Sequence, residues 1–259
     1  MTEEESNAAP EWTEPAAFPT LRAGAVHVWL ADLGKLLPHR ERIAGALARE
    51  ERERAARFRF DQHRRRFELT RGTLRALLAR YTGIPADQIA FSYNPHGKPL
   101  LEPAAGRSSL HFNTSHSGDF AVFAFTNAGR VGVDIEQVRT GNERWLEIAR
   151  RFFAPGEADR LESWPEHERA LGFFTCWTRK EAFVKARGDG IFAGLSSFEV
   201  TAAHGEGARL VRVDGDPDAP NRWWLRSITA ISGYAAAVAV EASDCELLCF
   251  AHSSAAAIG

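Results

Sequence analysis

The chain has few cysteines, no long apolar run and almost no net charge. Its 259 residues include three cysteines, Cys176, Cys245 and Cys249, whose number and irregular spacing exclude a disulfide framework. Cys245 and Cys249 also lack the partner ligands of a zinc site, so we interpret all three as buried thiols in a reducing compartment. No segment approaches the roughly 18 consecutive apolar residues of a membrane span, and the N-terminus is acidic rather than signal-like. The sequence therefore predicts a cytoplasmic protein without a membrane partner.

The near-balance of charge, 32 basic against 34 acidic residues, gives no indication of a nucleic-acid partner. The distribution is uneven, because 13 arginines and only 6 acids lie between His39 and Arg80. Such an excess would attract a polyanionic ligand or an acidic protein surface. A pair of solvated amphipathic helices would account for the same pattern.

Strand and helix patterns follow one another along the chain. Residues 1–20, which are rich in proline, acids and alanine, and the similar residues 253–259 predict a disordered leader and tail. Two-residue alternation and short apolar runs predict strands, and spacings near 3.6 residues predict helices. Strands are expected at 26–30, 89–93, 120–125, 131–136, near 198 and 210, at 223–228 and at 235–240, and helices at 43–81, 142–153 and 166–186.

A short sequence echo predicts how these elements are organised. Ser117-Gly118-Asp119-Phe120-Ala121 and Ser232-Gly233-Tyr234-Ala235-Ala236 each lead into a buried apolar strand, late in the first and second parts of the chain. Chance could produce such a pair, and a duplicated unit is the alternative. If the echo marks a duplication, the chain is an α+β fold of two similar halves, 21–130 and 131–252, with a ligand cleft between them.

Two acids lie side by side on the strand predicted at 131–136. Asp134 and Glu136 are two residues apart, so they project from the same face, while Val133 and Ile135 project into the core. Neighbouring carboxylates repel each other, so a strand that carries them usually supplies a cation or exposes both to water. An ordinary exposed strand face explains this pair when it is taken alone.

The helix predicted at 166–186 carries a second candidate pair. Glu181 and Lys185 are four residues apart on one face, while Trp177 and Phe183 offer apolar surface for packing. Taken singly, such a pair is common surface decoration. Together with the two strand acids, Glu181 would complete a set of hard oxygen ligands that suits Mg²⁺, which also takes waters and substrate phosphates. Lys185 beside them would bind a phosphate.

Two polar segments could contact an anion. Residues 112–118 are predicted to be a loop of small hydrogen-bonding residues, in which His116 could cap a turn, pack or bind phosphate. In His96-Gly97-Lys98-Pro99, the glycine lets the backbone approach a ligand and Lys98 supplies a point charge, although a plain turn lysine fits equally. No G-x-S-x-G elbow accompanies these segments, so a Ser-His-Asp hydrolase is not indicated.

Five segments together resemble, in order and spacing, the Sfp-type 4'-phosphopantetheinyl transferases. They are Gly97-Lys98-Pro99, Phe112-Asn113-Thr114-Ser115-His116-Ser117, Gly132-Val133-Asp134-Ile135-Glu136, Arg151-Phe152-Phe153 and Trp177-Thr178-Arg179-Lys180-Glu181-Ala182-Phe183-Val184-Lys185. The resemblance implies a pseudo-twofold α+β fold with coenzyme A bound between the halves. It also implies the reaction, in which a serine hydroxyl of an apo carrier protein attacks the β-phosphate of coenzyme A and adenosine 3',5'-bisphosphate is released. The duplicated length resembles the monomeric branch of the family.

The same resemblance assigns roles to individual residues. It implies Mg²⁺ ligands at Asp134, Glu136 and Glu181, pyrophosphate contacts at Ser115, His116 and Lys185, and a coenzyme-binding turn at Gly97, Lys98 and Pro99. The family holds the 3'-phosphate with basic residues of its N-terminal helices, where Arg54, Arg66 and Arg71 are all eligible and no motif chooses among them. Glu181 is the candidate general base, with Glu136 as the alternative.

Two other interpretations remain open. The acids and Lys185 would also suit a metal-dependent nuclease, although the chain lacks basic and aromatic residues interleaved around that site. A coenzyme- or carrier-binding module without catalysis could share the fold, although a binder would not need three acids. Nothing in the sequence indicates whether the carrier would belong to fatty-acid, polyketide or peptide synthesis.

Overall fold

The computed structural model describes residues 12–102, 110–141, 144–190, 194–202, 206–228 and 231–252. The strands within these ranges are β1 (Trp12–Thr13), β2 (Ala25–Asp32), β3 (Phe91–Tyr93), β4 (Pro99–Leu101), β5 (His111–Ser117), β6 (Phe120–Thr126), β7 (Val131–Gln137), β8 (Phe198–Val200), β9 (Leu210–Val213), β10 (Trp224–Ser227), β11 (Tyr234–Val240) and β12 (Glu246–His252). The helices are α1 (Leu33–Leu36), α2 (Arg40–Gly45), α3 (Arg49–Ala56), α4 (Asp61–Thr82), α5 (Arg144–Phe152), α6 (Pro155–Glu162), α7 (Glu166–Arg187) and α8 (Ala219–Arg222).

Two sheets repeat one local strand order, which confirms the predicted duplication. In the first, β5 pairs with β6 and β6 with β2; in the second, β10 pairs with β11 and β11 with β7, and all four pairings are antiparallel. The glycines of the sequence echo, Gly118 and Gly233, both adopt positive φ just before the middle strand of each set. The last strand, β12, joins the first sheet parallel to β2, so the predicted half 131–252 ends inside the sheet of the other half.

Alternating side chains divide the core into three apolar layers. Residues of β2 and β6 on one face pack against α4, and those on the other face, such as Val28 and Val122, pack against the second sheet. β7 and β11 contribute Val133 and Val238 to that central layer, while the opposite face of β11 packs against α7. The molecule is therefore built in the order helix, sheet, sheet, helix.

The two long helices are amphipathic and end in the same way. On α4, Leu74, Leu77 and Leu78 are fully buried, and each such side chain contributes roughly 1.5–3 kcal/mol relative to leaving it exposed. Both helices are 22 residues long and are followed by a glycine in the left-handed region, Gly83 at φ 70° and Gly188 at φ 79°. Because glycine has no Cβ, it adopts that conformation without strain and ends the helix.

The structure corrects two predicted elements. The helical stretch predicted at 43–81 is divided into α2, α3 and α4, with breaks at 46–48 and 57–60. The polar loop predicted at 112–118 is wrong, because residues 111–117 form β5, an edge strand of the first sheet. The sequence of β5 resembles a loop because one face of the strand carries polar side chains that lie against the polar edge of β7 and not against the apolar core.

The predicted disordered leader is wrong for residues 12–20. Trp12 and Thr13 form β1, which pairs in parallel with Cys249 and Phe250 of β12. Phe18 stacks on the buried Trp29, with ring centroids 5.4 Å apart. Trp12 and Phe18 give the segment an apolar surface that its overall composition does not indicate. Residues 1–11 and the predicted tail 253–259 lie outside the described part of the chain.

The cysteines and the helices bear on the compartment predictions. Cys176 and Cys249 are buried free thiols, as expected, whereas Cys245 is partly exposed. Burial raises the pKa of Cys249 to about 12, which leaves that thiol unreactive at neutral pH. Among the described helices, none combines the length and the apolar character needed to cross a membrane.

Candidate functional site

The acid pair of β7 faces α7. Val133 and Ile135 lie in the central apolar layer, so the two-residue period directs Asp134 and Glu136 to the opposite face. Asp134 is only 3 % exposed, which rules out the interpretation of these acids as an ordinary exposed strand face. Helix α7 can approach this closely because Gly132 has no side chain: a Cβ there would overlap the carbonyl oxygen of Ala182.

Helix α7 brings Glu181 and Lys185 to the same place. The two residues lie one helical turn apart on the face that packs against β7, and Glu181 is 4 % exposed. Lys185 Nζ donates hydrogen bonds to Asp134 Oδ1 at 2.6 Å and to Ser115 Oγ at 2.8 Å. Lys185 is therefore not an ordinary surface lysine. It connects the two sheets by bonding to Asp134 of β7 and Ser115 of β5.

Side chains rather than backbone groups join the edges of β5 and β7. Ser115 Oγ donates to Asp134 Oδ1 at 2.7 Å, and Ser117 Oγ donates to Glu136 Oε2 at 2.8 Å. Asn113 Oδ1 accepts a hydrogen bond from the backbone N–H of Val133 at 2.9 Å. β5 belongs to the first sheet and β7 to the second, so the acids lie in the seam between the two halves.

The acids of the seam perturb one another. Burial raises the pKa of Glu181 to about 7, and the charge of Asp134 raises it as well, whereas Lys185 opposes the shift. Burial also raises the pKa of Glu136, which the hydrogen bond from Ser117 counteracts and the charge of Asp134 reinforces. Burying several carboxylates together without a compensating cation or donor costs stability. Crowded acids with raised pKa values are therefore typical of functional sites.

Two buried oxygens of this cluster lack a hydrogen-bond partner among the described residues, namely Asp134 Oδ2 and Glu181 Oε1. A buried carboxylate oxygen without a partner is costly, so its presence indicates a missing cation or donor. Hard oxygen donors of this kind suit Mg²⁺. As they stand, no three His, Cys, Asp or Glu side chains of the described ranges converge closely enough to hold a metal ion. The donor set therefore fits Mg²⁺ in its chemistry, and at present the ammonium of Lys185 supplies the positive charge beside Asp134.

His116 projects from the other face of β5, toward α4. Neighbouring atoms partly desolvate its ring, which lowers the pKa of His116, and the positive charges of Arg66 and Lys185 lower it further. The neighbouring Arg64 and Arg65 form ion pairs with Asp61, whereas Arg66 forms none with a described residue. His116 and Arg66 thus add polar and positive groups beside Lys185, an arrangement that suits an anion.

The other two candidate arginines are engaged elsewhere. Arg54 is exposed, and its guanidinium lies 5.2 Å from the ring centroid of Phe67. Arg71 forms an ion pair with the buried Glu51 and donates to Tyr93 Oη at 3.1 Å. The structure therefore places only Arg66, of the three, beside the seam residues. Roles for Arg54 and Arg71 in binding a 3'-phosphate remain predictions.

The predicted phosphate contact of Lys98 is not supported by its placement. Lys98 Nζ donates to three backbone carbonyls, those of Val131 at 3.0 Å, Lys185 at 2.6 Å and Ala186 at 3.1 Å. An ammonium group has three N–H donors, so none remains for a phosphate. Burial lowers the pKa of Lys98 to about 8, and the nearby charge of Arg130 contributes. Gly97 (φ 82°) precedes this lysine in the turn, and Pro99 follows it as the first residue of β4.

The structural partners of the site include residues that the sequence patterns did not single out. Asn113 and Ser117 share a face of β5 with Ser115, and all three side chains bond to β7 or its acids. The two-residue spacing of these residues was the available signal, but it was concealed by the prediction of a loop.

Comparisons with known proteins cover both halves. A family model described as the 4'-phosphopantetheinyl transferase superfamily matches residues 130–239, and one described as 4'-phosphopantetheinyl transferase, N-terminal, matches residues 38–128. The chain is 38 % identical over 222 residues to the 4'-phosphopantetheinyl transferase HetI of Nostoc sp., covering 85 % of this chain and 90 % of that protein. It is 37 % identical to psf-1 of Bacillus pumilus (70 % and 73 % covered) and 30 % identical to Sfp of Bacillus subtilis (79 % and 86 % covered), both 4'-phosphopantetheinyl transferases.

Proposed function

Because the chain belongs to the 4'-phosphopantetheinyl transferase superfamily, we propose that it moves the phosphopantetheine arm of coenzyme A to a serine of an apo carrier protein. The products are the holo carrier and adenosine 3',5'-bisphosphate, and the reaction depends on Mg²⁺. One observation carries this proposal: three acids share the seam between the halves with the ammonium of Lys185, and two of them, Asp134 and Glu181, are buried with an oxygen that has no partner among the described residues.

The residues that would hold Mg²⁺ are Asp134, Glu136 and Glu181. When bound, the ion neutralises charge on the pyrophosphate oxygens, which is the main demand of phosphoryl-type transfer. Ser117 orients Glu136 by its hydrogen bond and keeps that carboxylate aimed into the seam.

Phosphate binding falls to the cationic side of the seam. Lys185 and Ser115 are hydrogen-bonded to each other, and both can turn a donor to a pyrophosphate oxygen without leaving the cluster. His116 and Arg66 extend this donor surface toward α4. Preorganised donors of this kind stabilise the charge that develops on the transferred phosphoryl group.

In this proposal Glu181 acts as the general base. The carrier serine forms a new O–P bond to the β-phosphorus, the bond from that phosphorus to the bridging oxygen breaks, and the serine proton passes to Glu181. A carboxylate within hydrogen-bond reach of the attacking hydroxyl contributes on the order of 100-fold or more as a general base.

The same architecture supports an acidic carrier as the partner and a monomer as the active unit. The arginine-rich helices α2 to α4 offer positive charge to an acidic carrier surface, which would increase the rate of encounter. Both edges of the seam, β5 and β7, come from one chain, which supports a monomer as the active unit. The free, largely buried cysteines suit a reducing cytoplasm.

The test is incubation with coenzyme A, Mg²⁺ and a panel of apo carrier proteins, followed by intact-mass measurement of each carrier. The proposal predicts a mass gain of one phosphopantetheine with at least one carrier. Glu181→Gln should abolish the gain but keep coenzyme A binding detectable, whereas Glu166→Gln, an exposed acid on the same helix, should leave it unchanged. No gain with any carrier, despite coenzyme binding, would leave the non-catalytic binding module as the better interpretation.

A further inference from the structure

The C-terminal end of α7 is capped by side chains from outside the helix. A helix leaves its last carbonyl groups without intrahelical partners. Here the partners are Lys98 for the carbonyls of Lys185 (2.6 Å) and Ala186 (3.1 Å), Arg130 for that of Arg187 (3.3 Å) and Asn94 for that of Gly188 (2.8 Å). Lys98 and Asn94 belong to the first half, so this cap crosses between the halves.

Lys98 also reaches the other element that carries the site. Its third hydrogen bond goes to the carbonyl of Val131, the first residue of β7. One buried ammonium group therefore joins the start of the strand that bears Asp134 to the last turn of the helix that bears Glu181. The shortest of its three bonds is to the backbone of Lys185 itself, the residue that contacts Asp134.

The turn that holds Lys98 is built to present it. Asn94 Oδ1 accepts hydrogen bonds from the backbone N–H groups of His96 at 3.0 Å and Lys98 at 2.9 Å, and Gly97 closes the turn at φ 82°. The same Asn94 side chain uses its Nδ2 on Gly188. A side chain that forms the turn and also binds the helix end fixes the turn against α7, so Lys98 reaches the carbonyls without searching for them.

We propose that Lys98 is a positioning residue, which holds α7 against β7 so that Lys185 and Glu181 stay at Asp134. This inference rests on the proposed function for its effect on turnover, but its structural content does not. The positive charge at the C-terminal end of α7 also complements the helix dipole, which favours a lysine over a neutral donor at this point.

The first measurement is hydrogen–deuterium exchange of the ligand-free protein. Lys98→Met removes the three donors but keeps the apolar stem. Exchange in the last turn of α7, residues 184–188, should become about tenfold faster or more, while the last turn of α4 should be unchanged. Lys35→Met, which alters an exposed lysine of the same half, serves as the matched control and should change neither helix end. Because no substrate is present, this result is independent of the transferase reaction.

The second measurement separates positioning from phosphate binding. In Lys98→Met, turnover should fall by about tenfold or more, while the dissociation constants of coenzyme A and adenosine 3',5'-bisphosphate stay within about threefold of wild type. Lys98→Arg, which keeps the charge and its donors, should recover part of the lost turnover. If Lys98→Met does not fold, Asn94→Ala removes the cap on Gly188 and the two hydrogen bonds that hold the Lys98 turn, and it should accelerate exchange of the same helix turn. Unchanged exchange with a large loss of affinity for both ligands would overturn the proposal and assign Lys98 to the phosphates.

Discussion

Replacing Gly132 by alanine should separate the two elements that build the site. A Cβ at this position would overlap the carbonyl oxygen of Ala182 and the amide nitrogen of Ala186, and would lie 2.9 Å from the carbonyl carbon of Lys185. These are backbone atoms of α7, so no side chain can rotate away. The helix must instead move outward by about 1 Å or more before the contacts become ordinary ones. Because its C-terminal end is bound by the Lys98 cap, α7 resists that movement.

The expected cost lies at the upper end of overpacking effects, about 3 kcal/mol, which corresponds to a fall in Tm of roughly 10 °C for a domain of this size. The movement would also lengthen the 2.6 Å contact between Lys185 and Asp134, and a displacement of about 1 Å at such a site can cost on the order of 100-fold in turnover. Scanning calorimetry and transfer rates measure both effects. Gly45→Ala is the matched control, because its Cβ would meet nothing within 4 Å and should be neutral or slightly stabilising. A Tm within about 2 °C of wild type and unchanged turnover for Gly132→Ala would refute the reasoning.

Two further predictions concern buried charged and titratable groups. Burial lowers the pKa of His27 and of His252 to about 4, so their contribution to stability is complete above the ordinary pKa near 6.5 and is lost as the pH falls toward 4. Urea unfolding should show a loss of about 2 kcal/mol per histidine between pH 8 and pH 5, and His252→Leu should reduce that loss; an equal pH dependence in the variant would contradict it. Lys180 Nζ donates to the buried carboxylate of Glu157 at 2.6 Å, and Lys180→Met removes this donor. The free energy of unfolding should fall by about 3–5 kcal/mol, and adding Glu157→Leu should recover part of that loss. A single-variant cost below about 1 kcal/mol would show that the pair is not needed.

Local periodicity predicted the elements that carry the acids. The alternation of 131–136 placed Asp134 and Glu136 on one face, and the four-residue spacing placed Glu181 with Lys185, because both patterns depend only on residues close in sequence. The paired Ser-Gly turns indicated the duplicated strand order. These features survive because tertiary packing reinforces the local preference instead of opposing it.

Long-range partners could not be predicted from the same patterns. The carbonyl of Ala186 lies 88 residues from Lys98 in sequence, and it is this contact, with two others, that uses up the ammonium group. β5 was predicted as a loop because an edge strand that bonds through Asn113, Ser115 and Ser117 has the composition of a turn. β12 escaped prediction because its place in the first sheet depends on a parallel pairing across almost the whole chain.

The magnesium site proposed at the seam is tested most directly by calorimetric titration of Mg²⁺ into the protein with coenzyme A present. We expect one saturable Mg²⁺ site per chain in the wild type. The affinity should be weaker by about tenfold or more in Asp134→Asn, because that change removes a ligand charge beside Glu181. Asp87 is an exposed acid that is not part of the seam, so the Asp87→Asn variant should bind Mg²⁺ as the wild type does. Equal affinity in Asp134→Asn and wild type would contradict the assignment of these acids to the metal.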